Sequence, residues 1–466
     1  MLIGWSSADI TPDKPSVLRG QFHARISKFV NDPLTVTALA LEGADESGAR
    51  HQAIIMSCDR VNVPSIVENR VRELVSQKVQ GFDPAMLFIS ATHTHTAAEV
   101  DESLYGPQAP EVGSPAEYCD FLVERMAQAA AEAWERRAPG QVSWAFGQAV
   151  VGHNRRVTYL DGQSKMYGHT DQADFSHIEG YEDHSVDMLF TWDPEGNLTG
   201  MLLNLACPSQ VTEGEYYVSA DFWHEVRVEI RRRHGEGLFI LPQCSAAGDQ
   251  SPHLLIHNRA EELMRQRRGL TERQEIGRRV ANAVDDVLDL AKADQHSEPT
   301  FAHVTATVRL PVRTVLRGEY EAARAQREHW EAEQVDPADV FATSRRHVMI
   351  SRYGKVMTRY ETQADNPQYE TEVHAVRLGD IAMVTNPFEL FLDFGLRIKA
   401  RSKAVQTFVV QLAGTGRNTM SGYLPTARAV AAKSYGAEAA DNAVGPEAGQ
   451  VLVDRSLELL DGLWGE

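Results

Sequence analysis

The sequence predicts an α/β protein in which mixed β-sheets are flanked by helices. Apolar runs of strand length alternate along the chain with segments whose apolar residues recur at helical spacing. The composition, 43% hydrophobic and 24% charged, is that of a soluble globular protein with an ample core. We find no repeat or Pro/Gly/Ser-rich linker. We therefore expect one domain over residues 1–466, with residues 296–300 as the candidate point of subdivision.

The first part of the chain predicts two strands joined by a helix. The apolar run His51–Cys58 stops at Asp59, and the next apolar run begins at Met86 and ends in His93 and His95. The residues between these runs have apolar positions at helical spacing. If the two strands are parallel neighbours, Asp59 and His93 lie at the same edge of the sheet.

Further elements follow the same reasoning. Strands are expected before Asp9 and then at Leu34–Leu41, Val142–Val151, Met188–Trp192, Leu198–Ala206 and Leu238–Pro242. Later strands are expected at Phe301–Val312, Glu372–Leu378, Ile381–Thr385 and Val405–Leu412. Helices are expected from Ser114 to about Arg136, over Phe222–Arg233, Thr271–Ala291 and Arg317–Gln334, and to about Ala400. The polar segment Thr158–His184 predicts a long loop, which is usually functional or mobile.

The bulk properties exclude several functional classes. A formal net charge of -19 argues against a general nucleic-acid binder, because phosphates would be repelled. No apolar run is long enough to span a membrane, and the N-terminus lacks the pattern of a signal peptide. Four cysteines in 466 residues do not make a disulfide framework. These observations predict a cytoplasmic protein with a small-molecule substrate, and they leave the oligomeric state open.

His93 and His95 are the first candidate functional residues. Two histidines at the end of a buried strand are typical of metal ligands or of an acid/base group. If the strand continues, alternation sends both rings to the same side. The alternative is a pair of hydrogen-bonded loop histidines.

Three other groups could take part in chemistry. Ser251, in the turn Gly248–His253, could be a nucleophile or an ordinary turn residue. Glu389 follows a strand and could be a metal ligand, or a glutamate favoured by a helix N-terminus. Tyr423 and Tyr435 are, taken alone, packing residues.

In combination these motifs resemble the neutral/alkaline non-lysosomal ceramidase family, across nearly all of its N-terminal catalytic domain. The most specific match is Ser90-Ala-Thr-His-Thr-His95, and the others are short but occur in the family's order. These others are Ala8-Asp-Ile-Thr11, Asn31-Asp-Pro-Leu34, Asn154-Arg155, Gly248-Asp-Gln-Ser-Pro252, Pro387-Phe-Glu389, Ser421-Gly-Tyr423 and Tyr435.

The resemblance implies a zinc ion held by His93, Glu389 and Tyr423. The family has a further histidine ligand in a His-Pro-Thr element, but this chain reads Ala206-Cys207-Pro208-Ser209 there. Cys207 is a chemically sound replacement, because thiolate binds zinc well. His224 is the other candidate. The alternatives are a packed Cys207, a surface His224 and a weakened or absent metal.

The resemblance also implies an amide hydrolase with Ser251 as the nucleophile. It gives His95, Arg155 and Tyr435 the roles of positioning the substrate or stabilising the oxyanion, which is worth about 10² to 10³ in rate. Other polar residues are expected on the substrate side, namely Asn154, Asp249 and Asp59.

The expected substrate differs from ceramide. This chain stops some thirty residues after Tyr435, without the family's immunoglobulin-like C-terminal domain, and its Thr158–His184 segment predicts a polar rim. A polar rim suits a small polar substrate, such as a sugar or cyclitol derivative, better than a sphingolipid. Two alternatives remain: a metal-dependent carbohydrate lyase that uses His95 or Tyr435 as its base, and a non-catalytic sugar-binding descendant.

Overall fold

The computed structural model describes residues 1–414 and 422–464. The first eleven strands are β1 (Leu2–Asp9), β2 (Val17–Leu18), β3 (Arg25–Ile26), β4 (Thr35–Ala44), β5 (Arg50–Cys58), β6 (Leu87–Ala91), β7 (Ala138–Pro139), β8 (Gln141–Gln148), β9 (His153–Asn154), β10 (Arg156–Tyr159) and β11 (Ser164–Met166). The others are β12 (Phe175–Ile178), β13 (Ser185–Trp192), β14 (Leu198–Leu205), β15 (Phe239–Cys244), β16 (Gln250–Ser251), β17 (Phe301–Pro311), β18 (Gln368–Leu378), β19 (Ile381–Thr385), β20 (Glu389–Leu390), β21 (Gln406–Val410) and β22 (Tyr423–Leu424). The helices are α1 (Ser65–Lys78), α2 (Pro115–Glu135), α3 (Phe222–His234), α4 (Asn258–Arg268), α5 (Glu272–Ala293), α6 (Arg317–Ala332), α7 (Val340–Thr362), α8 (Leu392–Arg401), α9 (Ala427–Ala432) and α10 (Pro446–Asp461).

Three larger sheets form the body of the protein. Their strand orders are β6-β5-β4-β1-β7, β15-β14-β13-β8 and β17-β18-β19-β21. Each sheet contains one parallel pair, namely β5–β6, β14–β15 and β19–β21. A parallel pair needs a crossover connection, and α1, α3 and α8 lie in the three crossovers. Each sheet therefore contains one βαβ unit.

The core has a central part and three outer parts. On β4, Leu39 and Leu41 belong to a central apolar cluster, whereas Ala38 and Ala40 pack with α1 and α2 on the outside. This alternation is the two-residue period of a strand that is buried on both faces. The central cluster also contains Phe301, so side chains from both sides of residues 296–300 pack together in it. Helices α3 and α5 cover the second sheet, and α8 and α10 cover the third.

The predicted fold class is confirmed, and so are the parallel neighbours β5 and β6. The long loop predicted for Thr158–His184 is wrong in part, because β10 pairs with both β11 and β12 in a three-stranded antiparallel sheet. These strands are three or four residues long, and their alternation is too short to stand out among polar residues.

Helices α4, α7 and α10 were not predicted. Helix α10 carries Pro446 at its first position and Glu447 in its first turn, a recognisable N-terminal signal. Helix α7 begins after Asp339, whose side chain accepts from the Ala342 amide. Within residues 1–414 and 422–464, none of the helices combines the length and the apolar character needed to cross a membrane.

Helix α1 carries a buried glutamate that couples stability to pH. Glu68 is 1% exposed and lies 3.0 Å from the Arg72 guanidinium. Arg72 also pairs with Glu372 and donates to the Leu87 carbonyl, so its charge is shared. Burial raises the pKa of Glu68 to about 7, because Arg72 only partly offsets the loss of hydration.

We predict that Glu68→Gln removes a pH-dependent loss of stability. The folded protein holds the Glu68 proton up to about pH 7, whereas the unfolded chain releases it near pH 4.5. Stability therefore falls as pH rises between these values, by up to about 3 kcal/mol. Urea denaturation across this range measures the slope.

The matched control is Glu73→Gln, at an exposed position of the same helix. That variant should keep the slope of the parent protein. Equal slopes for the two variants would contradict the assignment to Glu68.

Candidate active site

The candidate site lies at the carboxyl ends of parallel strands, one from each of the three βαβ units. His93 follows β6, Ser251 follows β15, and Glu389 follows β19. A cavity of about 980 Å³ opens here, and His93, His95, Glu389, Tyr423 and Tyr435 are among its lining residues. Carboxyl ends of parallel strands are common places for ligand sites, so the topology explains why distant sequence motifs meet.

His93 and His95 do form a pair, although continued strand alternation is not the reason. Strand β6 ends at Ala91, and His93 has a left-handed backbone with φ of 64°. The two Nε2 atoms lie 3.3 Å apart, and the ring centroids are 4.9 Å apart. A left-handed backbone at a residue other than glycine costs on the order of 1 kcal/mol and is found often at functional sites.

His93 directs its Nε2 atom towards a carboxylate. Its Nδ1 lies 2.7 Å from the Val61 carbonyl oxygen, which can only accept, so Nδ1 carries the proton. Nε2 faces Glu389 Oε2 at 3.4 Å. Burial acts to raise the pKa of Glu389, but His93 and Arg155 outweigh it and the pKa is lowered. A histidine bound through Nδ1–H to a carbonyl is the usual arrangement of a metal ligand.

Glu389 and Tyr423 are neighbours by backbone register. They are direct partners in the parallel pair β20–β22, and the Tyr423 hydroxyl hydrogen-bonds Glu389. Burial and the Glu389 carboxylate raise the pKa of Tyr423 well above its usual value. Ser421, which precedes this strand in the sequence motif, lies outside the described residues.

Gly248 allows two segments of the site to touch. A Cβ at this position would lie 2.3 Å from the Glu389 carbonyl oxygen, and the Gly248 amide donates to Leu390. No other residue fits such a close backbone approach. This contact places the Gly248–Ser251 turn beside Glu389.

Arg155 is buried at the centre of the site. Its guanidinium donates to the Tyr167 hydroxyl at 2.9 Å, to Gln210 Oε1 at 3.0 Å and to the Gly248 carbonyl at 3.0 Å. It also reaches the Tyr423 hydroxyl at 3.4 Å. Burial opposes the charge, but nearby Tyr167, Tyr423 and Glu389 raise the pKa of Arg155 well above its usual value. The site therefore contains a permanent cation.

Ser251 lies behind the cavity wall. Its side chain is buried, with 0% exposure, and it is not among the cavity-lining residues. Its Oγ accepts from the His253 amide at 2.9 Å, and it also forms a hydrogen bond with Tyr167. Through Tyr167 it is connected to Arg155.

Tyr435 is connected to this network through Tyr423. Its ring packs edge-on against Tyr423, with centroids 5.4 Å apart, and the two hydroxyls hydrogen-bond. It is 36% exposed. The two tyrosines are therefore a contact pair.

Neither candidate for the fourth ligand is placed with His93. The Cys207 sulfur faces the carbonyl oxygens of Pro208 at 3.4 Å and Val151 at 3.8 Å, and burial raises the pKa of this thiol well above its usual value. His224 lies half-buried in the first turn of α3. In the described part of the chain, no three His, Cys, Asp or Glu side chains are grouped so that they could hold a metal. A metal bound by His93 and Glu389 would therefore need Tyr423 as its third protein ligand.

The other predicted substrate-side residues are bound within the protein. Asp59 is fully buried and pairs with Arg227 at 2.8 Å. Asp249 accepts from Asn154 Nδ2 and from the Leu392 amide, both at 2.9 Å. None of the three, Asp59, Asn154 and Asp249, lines the cavity. Their contacts are with other parts of the protein, so their role is structural.

Several site residues were missed by sequence reasoning. Gln210 donates from Nε2 to His95 Nε2 at 2.9 Å and accepts from Arg155. Glu213 lies 3.7 Å from His95 Nδ1 and 3.6 Å from His253 Nε2. Gln210 and Glu213 lie in an irregular segment with no periodic signal. Tyr167, which bridges Arg155 and Ser251, belongs to the Tyr-rich polar segment, and that composition was the available signal.

The cavity rim is polar, but its polar residues come from an unexpected element. The Thr158–His184 segment supplies none of the lining residues. Helix α7 contributes Arg352, Lys355 and Arg359 instead. The expectation that Thr158–His184 forms the rim of the site is therefore wrong, and sequence reasoning did not identify the residues of helix α7 that line the cavity.

Two solved ceramidase structures share this fold. No protein-family model and no curated protein matches the chain. The structure of neutral ceramidase from Pseudomonas aeruginosa aligns with a TM-score of 0.68 and 17% identity, over 99% of this chain and 74% of that one. A ceramidase complexed with C2 aligns with a TM-score of 0.66 and 16% identity, over 99% and 75%. The fold of this chain is that of the neutral ceramidases.

Proposed function

We propose that this chain is a zinc-dependent hydrolase of the ceramidase type. It cleaves an amide or related acyl bond of a small polar, carbohydrate-derived substrate, with Ser251 as the nucleophile. The observation that carries the proposal is the meeting of His93, Glu389 and Tyr423 in the lining of a cavity of about 980 Å³, with the buried Arg155 guanidinium 3.4 Å from the Tyr423 hydroxyl. These residues come from separate segments and match the family motif residue by residue. The shared fold supports the same assignment.

The donor set fits zinc as a site with an open position. His93 supplies a nitrogen lone pair, Glu389 a carboxylate and Tyr423 a phenolic oxygen. Catalytic zinc sites typically have three protein ligands and leave the fourth position to water or substrate. Cys207 is a poor fourth ligand, because its thiol is buried, protonated and directed at carbonyl oxygens. A bound zinc would supply Lewis-acid polarisation and a water of lowered pKa.

The side chains around this set have separate tasks. Arg155 and Tyr435 are the donors for the negative charge that develops on the acyl oxygen. The His253 amide fixes Ser251 Oγ, which leaves the serine proton to point towards Tyr167. Gln210 donates to His95 Nε2, which places the proton of the neutral imidazole on Nδ1, the atom that faces Glu213. In the reaction the Ser251 oxygen bonds to the acyl carbon, the carbon–nitrogen bond breaks, and the serine proton passes to the leaving amine. Water then hydrolyses the acyl-serine ester, which releases the acid and restores the serine hydroxyl.

A lyase on the same scaffold is the second candidate. One observation favours it: His95 and Tyr435 line the cavity directly, whereas Ser251 does not. In that case His95 or Tyr435 removes a proton from a carbohydrate substrate, and Ser251 has only a structural role. The product would be unsaturated and would absorb ultraviolet light.

We predict that zinc binding depends on Glu389 and Tyr423 and is independent of Cys207 and His224. Glu389→Gln and Tyr423→Phe each remove a donor and should weaken zinc affinity by at least about tenfold. Cys207→Ala and His224→Ala should keep the affinity of the parent protein. Elemental analysis after dialysis against a graded zinc buffer measures these differences. Equal zinc loss from Cys207→Ala and Glu389→Gln would contradict the three-ligand set.

We also predict that Ser251→Ala lowers kcat for acyl-bond hydrolysis by about 10³-fold or more, because it removes the attacking atom. Release of acetate from N-acetylated amino sugars by the zinc-loaded enzyme is the measurement. Ser245→Ala is the matched control, since Ser245 is also buried and its hydroxyl has no hydrogen-bond partner among the described residues.

The outcome separates the two candidate reactions. Loss of acetate release in Ser251→Ala alone supports hydrolysis by the serine. An ultraviolet-absorbing product that both serine variants still form would replace the hydrolase with the lyase.

A further inference from the structure

Helix α7 forms a basic wall of the cavity. Arg352, Lys355 and Arg359 all line it. Residues three, four and seven positions apart lie on one face of a helix, so these three side chains form a single row.

Arg352 is neutralised within the protein. It pairs with Asp441, and its guanidinium also lies 5.8 Å from the Tyr435 ring centroid. Arg19, which also lines the cavity, pairs with Glu99 at 2.6 Å. These two arginines therefore position neighbouring elements and add little net charge to the cavity.

Arg359 has no direct ion pair among the described residues, although Glu319 lies close enough to act on its charge. Its two terminal nitrogens donate to the carbonyl oxygens of Ala439 and Asn442, each at 2.6 Å. No carboxylate within the described residues pairs with it. Burial lowers the pKa of Arg359 to about 10, with nearby Arg313 acting in the same direction, and the group still carries its proton at neutral pH. A half-buried cation held only by carbonyl dipoles attracts an anion from solvent.

Lys355 lies one helical turn before Arg359 and is exposed to the cavity. Within residues 1–414 and 422–464 it has neither an ion pair nor a hydrogen bond. The acidic residues that line the cavity are Glu389 and Asp441, and Asp441 is already paired. The cavity therefore has a basic wall inside a chain whose net charge is -19. A cleft with walls of one sign focuses its field on the ligand.

We propose that the substrate carries an anionic oxygen group, which binds between Lys355 and Arg359 while the reacting bond lies at His93 and Glu389. This inference rests on the proposed function for the position of the reacting bond. The lysine supplies a mobile ammonium donor, and Arg359 supplies a fixed charge. Carboxylate, phosphate and sulfate groups share the chemistry that this pair recognises.

Calorimetric titration of the full chain tests the proposal with four probes. N-acetylglucosamine is the neutral probe, and its 6-phosphate, its 6-sulfate and N-acetylmuramic acid carry the three kinds of anion. We expect at least one anionic probe to bind tenfold or more tightly than the neutral one, with an affinity that falls as salt rises. The anion that binds best distinguishes the three sources.

Substitution of the lysine tests the site itself. Lys355→Gln should reduce the preference for the anionic probe by about tenfold, and Lys355→Glu should abolish it. Lys292→Gln, at an exposed position of helix α5 outside the cavity, is the matched control and should keep the preference. Equal binding of all four probes would overturn the inference, and so would equal behaviour of Lys355→Gln and Lys292→Gln.

These experiments distinguish a failure of the anion site from a failure of the proposed function. Selective anion binding without any hydrolysis in zinc-loaded protein would overturn the proposed function and leave the anion site. Hydrolysis with no preference for an anionic probe would leave the proposed function and overturn the anion site.

Discussion

A single buried guanidinium links the segments that form the site. Arg155 connects Tyr167, Gln210, the Gly248 carbonyl and Tyr423 through hydrogen bonds of 2.9 to 3.4 Å. A cation in such a place is stable only when its donors are used, because an isolated buried charge costs several kcal/mol. The surrounding carbonyl and hydroxyl oxygens are therefore fixed in position by the need to satisfy the arginine.

The three-sheet architecture explains why this arginine has so many partners. Each large sheet contributes one parallel pair, and the carboxyl ends of the pairs meet around the cavity. The three sheets pack together through the shared apolar cluster. At the site itself, the close contact between Gly248 and the Glu389 backbone joins two of the segments. The same closeness keeps Ser251 out of the cavity lining, whereas His95 is part of it, and this difference in access separates the hydrolase from the lyase.

The sequence predicted the regular parts of this molecule and missed the parts that depend on long-range contacts. Strands such as β5 and β6 are apolar on both faces, and their parallel pairing followed from one helix between them. The His93–His95 pair was found for an incorrect reason, since a left-handed turn and not strand alternation sets its geometry. Helix α7 was missed, because its mostly polar face lines a cavity instead of packing in the core. Gln210 and Glu213 had no local pattern, since only tertiary contacts bring them to His95.

The register of one short strand pair limits how this site can evolve. Glu389 and Tyr423 are partners across β20 and β22, so their backbones are held at the separation of neighbouring strands, about 4.8 Å. Hydrogen bonds between main-chain atoms set this separation, and exchange of a side chain leaves it unchanged. New chemistry on this scaffold can therefore arise by changing which groups these two backbone positions present, while the spacing between them is inherited unchanged.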